Sequence, residues 1–169
     1  RSDVERKRLH GLPASARSAS ALDAGLYAAA ASERAYARLA DLAAAVVRSG
    51  YPAIADAAFL QRGERDRFRT LAAGLGAQFL MVSCEAGDAV LRGRIARRAA
   101  QGGDASEAEI PVLERQLASQ HPLASDEAVV TSRVNTASDA SLRLGVESVA
   151  QRLGLEDRQA AGAGAAPGV

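Results

Sequence analysis

The sequence predicts an α/β fold, a parallel sheet covered by helices. Three short apolar runs, "PAIAD" (52–56), "QFLMVSC" (78–84) and "AVVTSRV" (128–134), alternate with longer segments whose apolar residues recur at helical spacing. The runs are apolar on both faces, as strands are when helices cover both sides of a parallel sheet. The length, 169 residues, suits one domain with a sizeable core. Aromatics make up only 4% and Trp is absent, so that core must be built from Leu, Val, Ile and Ala.

The elements follow in order. Ser2 to Leu9 reads as a helix start, with Ser2 and Glu5 at capping-box spacing and Asp3 and Glu5 in the first turn. Gly11 to Gly25, rich in Ala, Ser and Gly with Pro13, reads as a loop or a mobile helical excursion. Tyr36, Leu39, Leu42, Ala43, Val46 and Val47 mark a helix over 32–48 that Gly50 and Pro52 end. "PAIAD" is then a short strand stopping at an acid. Phe68, Leu71, Ala72 and Leu75 mark a helix closed by Gly76, and "QFLMVSC" a buried strand. Val90, Leu91 and Ile95 lie on an arginine-rich helix that ends near Gly102 and Gly103. Ser106 and Glu109 repeat the capping-box spacing before a helix to about Gln120, which Pro111 kinks or delays. "AVVTSRV" is the last strand, and Leu142, Val146, Val149 and Leu153 the last helix. The end, "AGAGAAPGV", is low in complexity and expected to be disordered.

Composition excludes several function classes. Formal net charge is +1, so no global field favours nucleic acid, and there are few aromatics to stack on bases. No apolar run reaches the length of a membrane span and no secretory signal is visible, which with a single cysteine fits a cytoplasmic protein. Cys84 has no partner for an internal disulfide and reads as a small buried residue. His10 and His121 match no zinc pattern, and the glycines of the tail follow no strand, so they form no dinucleotide fingerprint.

In parallel sheets chemistry sits at the carboxyl ends of strands. That directs attention to Asp56, to Cys84–Asp88 and to Asn135–Ser138. Asp3 joins them if "RSD" also follows a strand. Asp3 and Arg6 are one helical turn apart and can face one ligand: the carboxylate to take a hydroxyl proton, the guanidinium to hold a phosphate. Spacing alone favours a helix-dipole acid and a solvated arginine. Asp56 could hold magnesium, usually through water, or orient a hydroxyl; it could as well cap the next helix. Arg94 and Arg98, four apart with Arg92 and Arg97 nearby, repel one another unless an anion such as a nucleotide phosphate binds; a solvated basic face is the simpler account. A phosphate loop needs G-x-x-x-x-G-K-[ST]. The sole lysine, Lys7, stands between Arg6 and Arg8, so the 169 residues contain no such loop.

Taken together, "RSDVERKRL", "GLYAAAASERAYARL", "GYPAIADAAFLQRGERDRF", "FLMVSCEAGDAVLRGRIARRAAQGGDASEAE" and "VLERQLASQHPL" resemble a bacterial family. It is the P-loop kinase-like ATPase domain often fused behind an aminoglycoside-phosphotransferase-like domain, in the clan of polynucleotide kinases, zeta toxins and gluconate kinases. The resemblance extends to about residue 125. It implies a three-layer P-loop kinase-like parallel sheet over 1–156, with a lid at about 92–109 and a disordered tail at 157–169. In that family the phosphate loop and two strands precede "RSD". The expectation is therefore an N-terminally truncated chain, the carboxy-terminal part of a longer protein. Its sheet would have an empty slot between the strands at 52–56 and 78–84, where the phosphate-loop strand belongs.

The resemblance also implies roles. Asp3 matches the acid that activates the acceptor hydroxyl, and Arg6 the arginine that contacts the acceptor. Arg94 and Arg98 match lid arginines that close over ATP and stabilise the transferring phosphoryl group. Asp56 matches an acid suited to magnesium or substrate, and "DASEAE" (104–109) the far end of the lid. The implied activity is ATP- and Mg2+-dependent phosphoryl transfer to an unidentified hydroxyl, with nucleotide binding only in the full-length protein. The alternative is a non-catalytic nucleotide-binding module regulating a fused aminoglycoside-phosphotransferase-like domain.

Overall fold

A computed structural model describes residues 1–16 and 28–155. Most of the Gly11–Gly25 excursion and the tail from 157 lie outside the described residues. Seven helices and two strands occur among them: α1 (Ser2–Leu9), α2 (Ala29–Arg48), α3 (Arg62–Gly74), β1 (Met81–Glu85), α4 (Asp88–Gln101), α5 (Ile110–Ser119), α6 (Ser125–Ala128), β2 (Thr131–Asn135) and α7 (Asp139–Arg152). They divide into two compact units. One comprises Arg1–Phe79 and Arg92–Leu123, the other Leu80–Leu91 and the residues from Ala124 on.

The first unit is helical. Tyr36 and Leu39 on α2 meet Phe68 on α3, with Ala40, Ala43, Phe59 and Phe79 packed around them. The apolar spacing of α2 dictates this face, and the helix starts three residues before the expected Ser32. Phe59 joins the rings: its centroid is 5.4 Å from Tyr36 and 5.1 Å from Phe68, the latter edge-on. Both are favoured aromatic geometries. Arg65, 6% exposed, donates to the Phe59 carbonyl (3.0 Å), the Leu60 carbonyl (3.2 Å) and the Pro122 carbonyl (3.4 Å), tying the segment before α3 to the one after α5.

Three expectations for this unit need correction. "PAIAD" is not a strand: 52–56 has no regular secondary structure and joins no sheet, and Ile54 is 95% exposed. A cleft of about 280 Å3 opens between it and α2, lined by Leu39, Val46 and Ile54 with Arg1 and Glu5 at its edge. A single isoleucine between alanines, with one proline and one acid at the ends, offers too little side-chain surface to fix a ladder without a neighbour. The two strands expected to flank a gap are therefore not both formed. Neither expected capping box forms as read. Arg1 occupies the cap of α1 without a side-chain bond, and Glu109 is the cap of α5. Pro111 delays rather than kinks α5, taking a first-turn position where its missing N–H has no consequence.

The second unit carries the parallel pair, β1 on β2, in the register Met81↔Thr131 through Glu85↔Asn135. Both strands start about three residues later than the apolar runs suggested. A four-residue helix, α6, takes the start of "AVVTSRV" instead, because Glu127 accepts from the Ala124 N–H (2.9 Å) and closes a helical turn. Arg152 on α7 donates to the Thr131 carbonyl (2.6 Å), the Ser132 hydroxyl (3.2 Å) and the Val129 carbonyl, binding the helix to β2. Gly145 is what lets the helix approach: a Cβ there would sit 2.4 Å from Val134 Cγ1. Substituting Gly145→Ala should therefore destabilise the chain by about 1–3 kcal/mol through overpacking. Gly93→Ala, in α4 with nothing within 4 Å, should be neutral or stabilise by about 0.5–1 kcal/mol. Denaturant unfolding of both variants checks this, and equal effects would refute it.

Candidate functional site

The candidate residues gather around α1. The Ser2 N–H donates to the Asp56 carbonyl at 2.8 Å, so the helix begins where the 52–56 segment ends. Arg1 bridges two acids from distant parts of the chain. Its Nε lies 3.2 Å from Asp56 Oδ2 and its Nη2 3.2 Å from Asp104 Oδ1. Each pair is half-exposed and contributes little to stability, but together they hold both segments at the start of α1.

Asp3 and Arg6 do face each other, as their spacing required. Asp3 Oδ1 accepts from Arg6 Nη1 at 3.3 Å, with the side chains 24% and 12% exposed. Arg6 also lies near enough to Tyr36 to act on its hydroxyl. Burial, reinforced by the Glu64 carboxylate, pushes the Tyr36 phenol well above its ordinary value, and Arg6 opposes this weakly. The hydroxyl accepts from the Phe59 N–H at 3.0 Å. Phe59 has φ +48°, a conformation a bulky residue seldom adopts, so the hydrogen bond and the ring contacts on both its sides hold a strained turn three residues after Asp56.

The arginine-rich helix α4 ends at two consecutive glycines with φ +66° and +77°, a left-handed pair that side chains would resist. The chain then returns through 104–109. Arg98 donates to the Ala108 carbonyl at 2.7 Å, closing this excursion across its base. Arg94, a turn earlier, is exposed. In the return segment Asp104 Oδ1 accepts from the Ser106 N–H at 2.7 Å. That bond, then Arg1, then Arg98, hold the Asp104 carboxyl below the usual range. Ala105 is buried, and Glu107 Oε1 lies 3.0 Å from Lys7 Nζ. Lys7, 1% exposed, also donates to the Ala14 carbonyl at 3.2 Å.

A family model described as an AAA domain matches residues 1–123. The chain belongs to the AAA domain family. No curated protein and no solved structure matches it. The match covers α1 to α5 and fits a P-loop kinase-like, nucleotide-binding domain of α/β type. P-loop AAA proteins generally bind nucleotide with Mg2+.

Within this AAA domain, the sequence candidates are only partly united. Asp56 and Arg98 belong to one network, joined through Arg1 and Asp104, while Asp3 and Arg6 form a separate pair on α1. Arg94 stands on the same helix as Arg98, one turn earlier. At Asp56 the Arg1 guanidinium engages Oδ2, so a magnesium ion bound there would compete with Arg1 for that oxygen. Among the described residues no three His, Cys, Asp or Glu side chains group as a metal site, and no helix is long and apolar enough to cross a membrane. Cys84, expected to be buried, is exposed on β1. Sequence reasoning missed Arg1, Tyr36, Asp104, Lys7 and Glu107. For Lys7 a signal existed: it is the only lysine among 21 basic residues.

The Asp104 carboxyl should titrate below the usual value of about 3.9. Arg1→Ala should restore only part of that difference, because the Ser106 N–H contributes more than Arg1. A folded-state value below the unfolded one means the stabilisation is present above about pH 3.9 and lost as pH falls through the lowered value. Carboxyl-carbon NMR across the acid range checks this; an ordinary or raised titration, or full restoration by Arg1→Ala, would contradict it.

Proposed function

We propose that this chain supplies the acceptor and lid parts of an ATP-dependent, P-loop kinase-like phosphotransferase acting on a hydroxyl. Asp3 is the general base, Arg6 holds the acceptor, and Arg94 and Arg98 are the lid arginines. The observation that carries the reading is the network of α1. This helix carries the largely buried Asp3–Arg6 pair, and Arg1 at its start holds Asp104 in the return segment that Arg98 closes. Membership of a P-loop kinase-like family supports it. The chain has no phosphate loop of its own, so that loop is proposed to lie elsewhere in a longer protein, in which an aminoglycoside-phosphotransferase-like domain is a candidate partner.

Bound Mg-ATP supplies the phosphoryl group and neutralises its charge. This chain's residues do the rest. Asp3 Oδ1 accepts the proton of the acceptor hydroxyl as its oxygen becomes the nucleophile. Arg6, already bonded to Asp3, orients that carboxylate and contacts the acceptor through its guanidinium. Arg98, anchored at the Ala108 carbonyl, keeps further guanidinium donors for an anion, and exposed Arg94 adds a second charge one turn away. These contribute by orientation and electrostatics, which dominate phosphoryl transfer.

Asp3→Asn in the full-length protein should lower kcat by roughly 10²–10⁴ with little change in KM. A protein that keeps its ATP-dependent response without Asp3 is instead a nucleotide switch. Arg94→Ala should slow transfer while shifting stability by no more than about 0.5 kcal/mol. Arg98→Ala should slow transfer and also cost about 1.5–3 kcal/mol, because it strips a charged donor from the Ala108 carbonyl. Steady-state kinetics paired with thermal unfolding separates the two. The 169 residues alone should not bind Mg-ATP in the micromolar range, since a phosphate loop provides most phosphate contacts. Calorimetric titration reads this directly.

A further inference from the structure

Two cations of α1 grip the return segment of the lid. Arg1 meets Asp104 at 3.2 Å and Lys7 meets Glu107 at 3.0 Å, with Ala105 buried between the two acids. The two grips are unequal. Arg1 is about half-exposed, at 47%, and its pair is open to water and salt. The Lys7 side chain is 2% exposed and that of Glu107 16%. A cation so deeply withdrawn costs free energy unless it is paired, and Glu107 carries the opposite charge. Asp3 and Lys7 are four residues apart, hence on neighbouring turns of one face of α1. At its other end the same return segment receives Arg98 at the Ala108 carbonyl.

We infer that Lys7 is a positioning residue: its ion pair with Glu107 latches the lid's return segment, 104–108, onto the helix that carries Asp3. One short helix then sets the proposed base through Asp3 and the proposed lid arginine, Arg98, through Glu107 and the one-residue step to Ala108. Lys7 touches neither substrate nor nucleotide in this role. Its consequence for transfer rests on the phosphotransferase reading above, whereas the latch itself rests on burial and distance.

The test is amide hydrogen exchange on the full chain, comparing wild type with Lys7→Met, Glu107→Gln and Lys7→Arg. Breaking the latch should speed exchange across 104–109 by about tenfold or more in the first two, with the protection of α2 and α3 unchanged. Lys7→Arg, which keeps the cation, should restore most of the protection. Glu107→Gln preserves shape at a partly exposed site and so decides the matter if Lys7→Met does not fold. Unchanged exchange over 104–109 in Glu107→Gln would overturn the latch, as would equal acceleration over α2 and α3, which marks a general core role. In a transferring full-length protein, Glu107→Gln should lower kcat with the acceptor KM little changed. Accelerated exchange in a protein that transfers no phosphate would leave the latch standing and remove the phosphotransferase reading. Robust transfer with unchanged exchange would remove the latch alone.

Discussion

The pairing of charges on α1 is the constraint on which the first unit depends. Eight residues are too few for a helix that stands alone in water, and this one has no apolar face to dock with. Its buried residues are Ser2, Glu5 and Lys7. Water must leave a carboxylate and an ammonium, so each has to meet a partner. Glu5 meets Arg8 at 2.5 Å and Arg38 on α2 at 3.6 Å, and Lys7 meets Glu107. A helix held in this way has few alternative positions. An apolar helix can slide by a turn and still bury its surface; a charged one cannot leave its counter-charges.

That specificity organises the candidate site. Asp3 and Arg6 occupy the same helix as the three residues that fix it, so their location is inherited from those pairs rather than from a cavity. Arg1 joins the end of the 52–56 segment to the lid's return segment, and the strained turn at Phe59 follows three residues on. The hydroxyl of Tyr36 lets the aromatic core hold that turn by its backbone. Packing and polar pairing thus meet at one side chain. Tyr suits it because its ring fills the core while its oxygen serves the loop.

The second unit is built differently. Two strands of five residues are a small sheet, and a pair of this size has little stability without support. Support comes from α7, through the close approach at Gly145 and the bonds of Arg152 to the Thr131 and Val129 carbonyls and the Ser132 hydroxyl. Thr131 adds a hydroxyl bond to the Glu127 carbonyl at 2.7 Å, stitching α6 to the start of the strand. Apolar side chains are left in contact with water on both elements, Val82 on β1 and Leu144 and Val146 on α7 among them.

Periodicity alone determined the helices: α2, α3, α4, α5 and α7 stand where the apolar spacing and the glycines placed them, and the α/β class followed from the two runs that became β1 and β2. The local pair Asp3–Arg6 was equally legible, because three residues on a helix is a distance the backbone itself enforces. The tertiary structure decided what depends on a neighbour. Whether 52–56 is a strand rests on another strand's backbone, which no local pattern encodes, and it is not one here. Whether Asp56 is free for a cation rests on Arg1, 55 residues earlier, and whether Lys7 is a surface charge or a buried latch rests on Glu107, 100 residues later. Charge is visible in a sequence, but its partner is chosen by the fold, since Coulomb attraction acts through space and takes no account of separation along the chain.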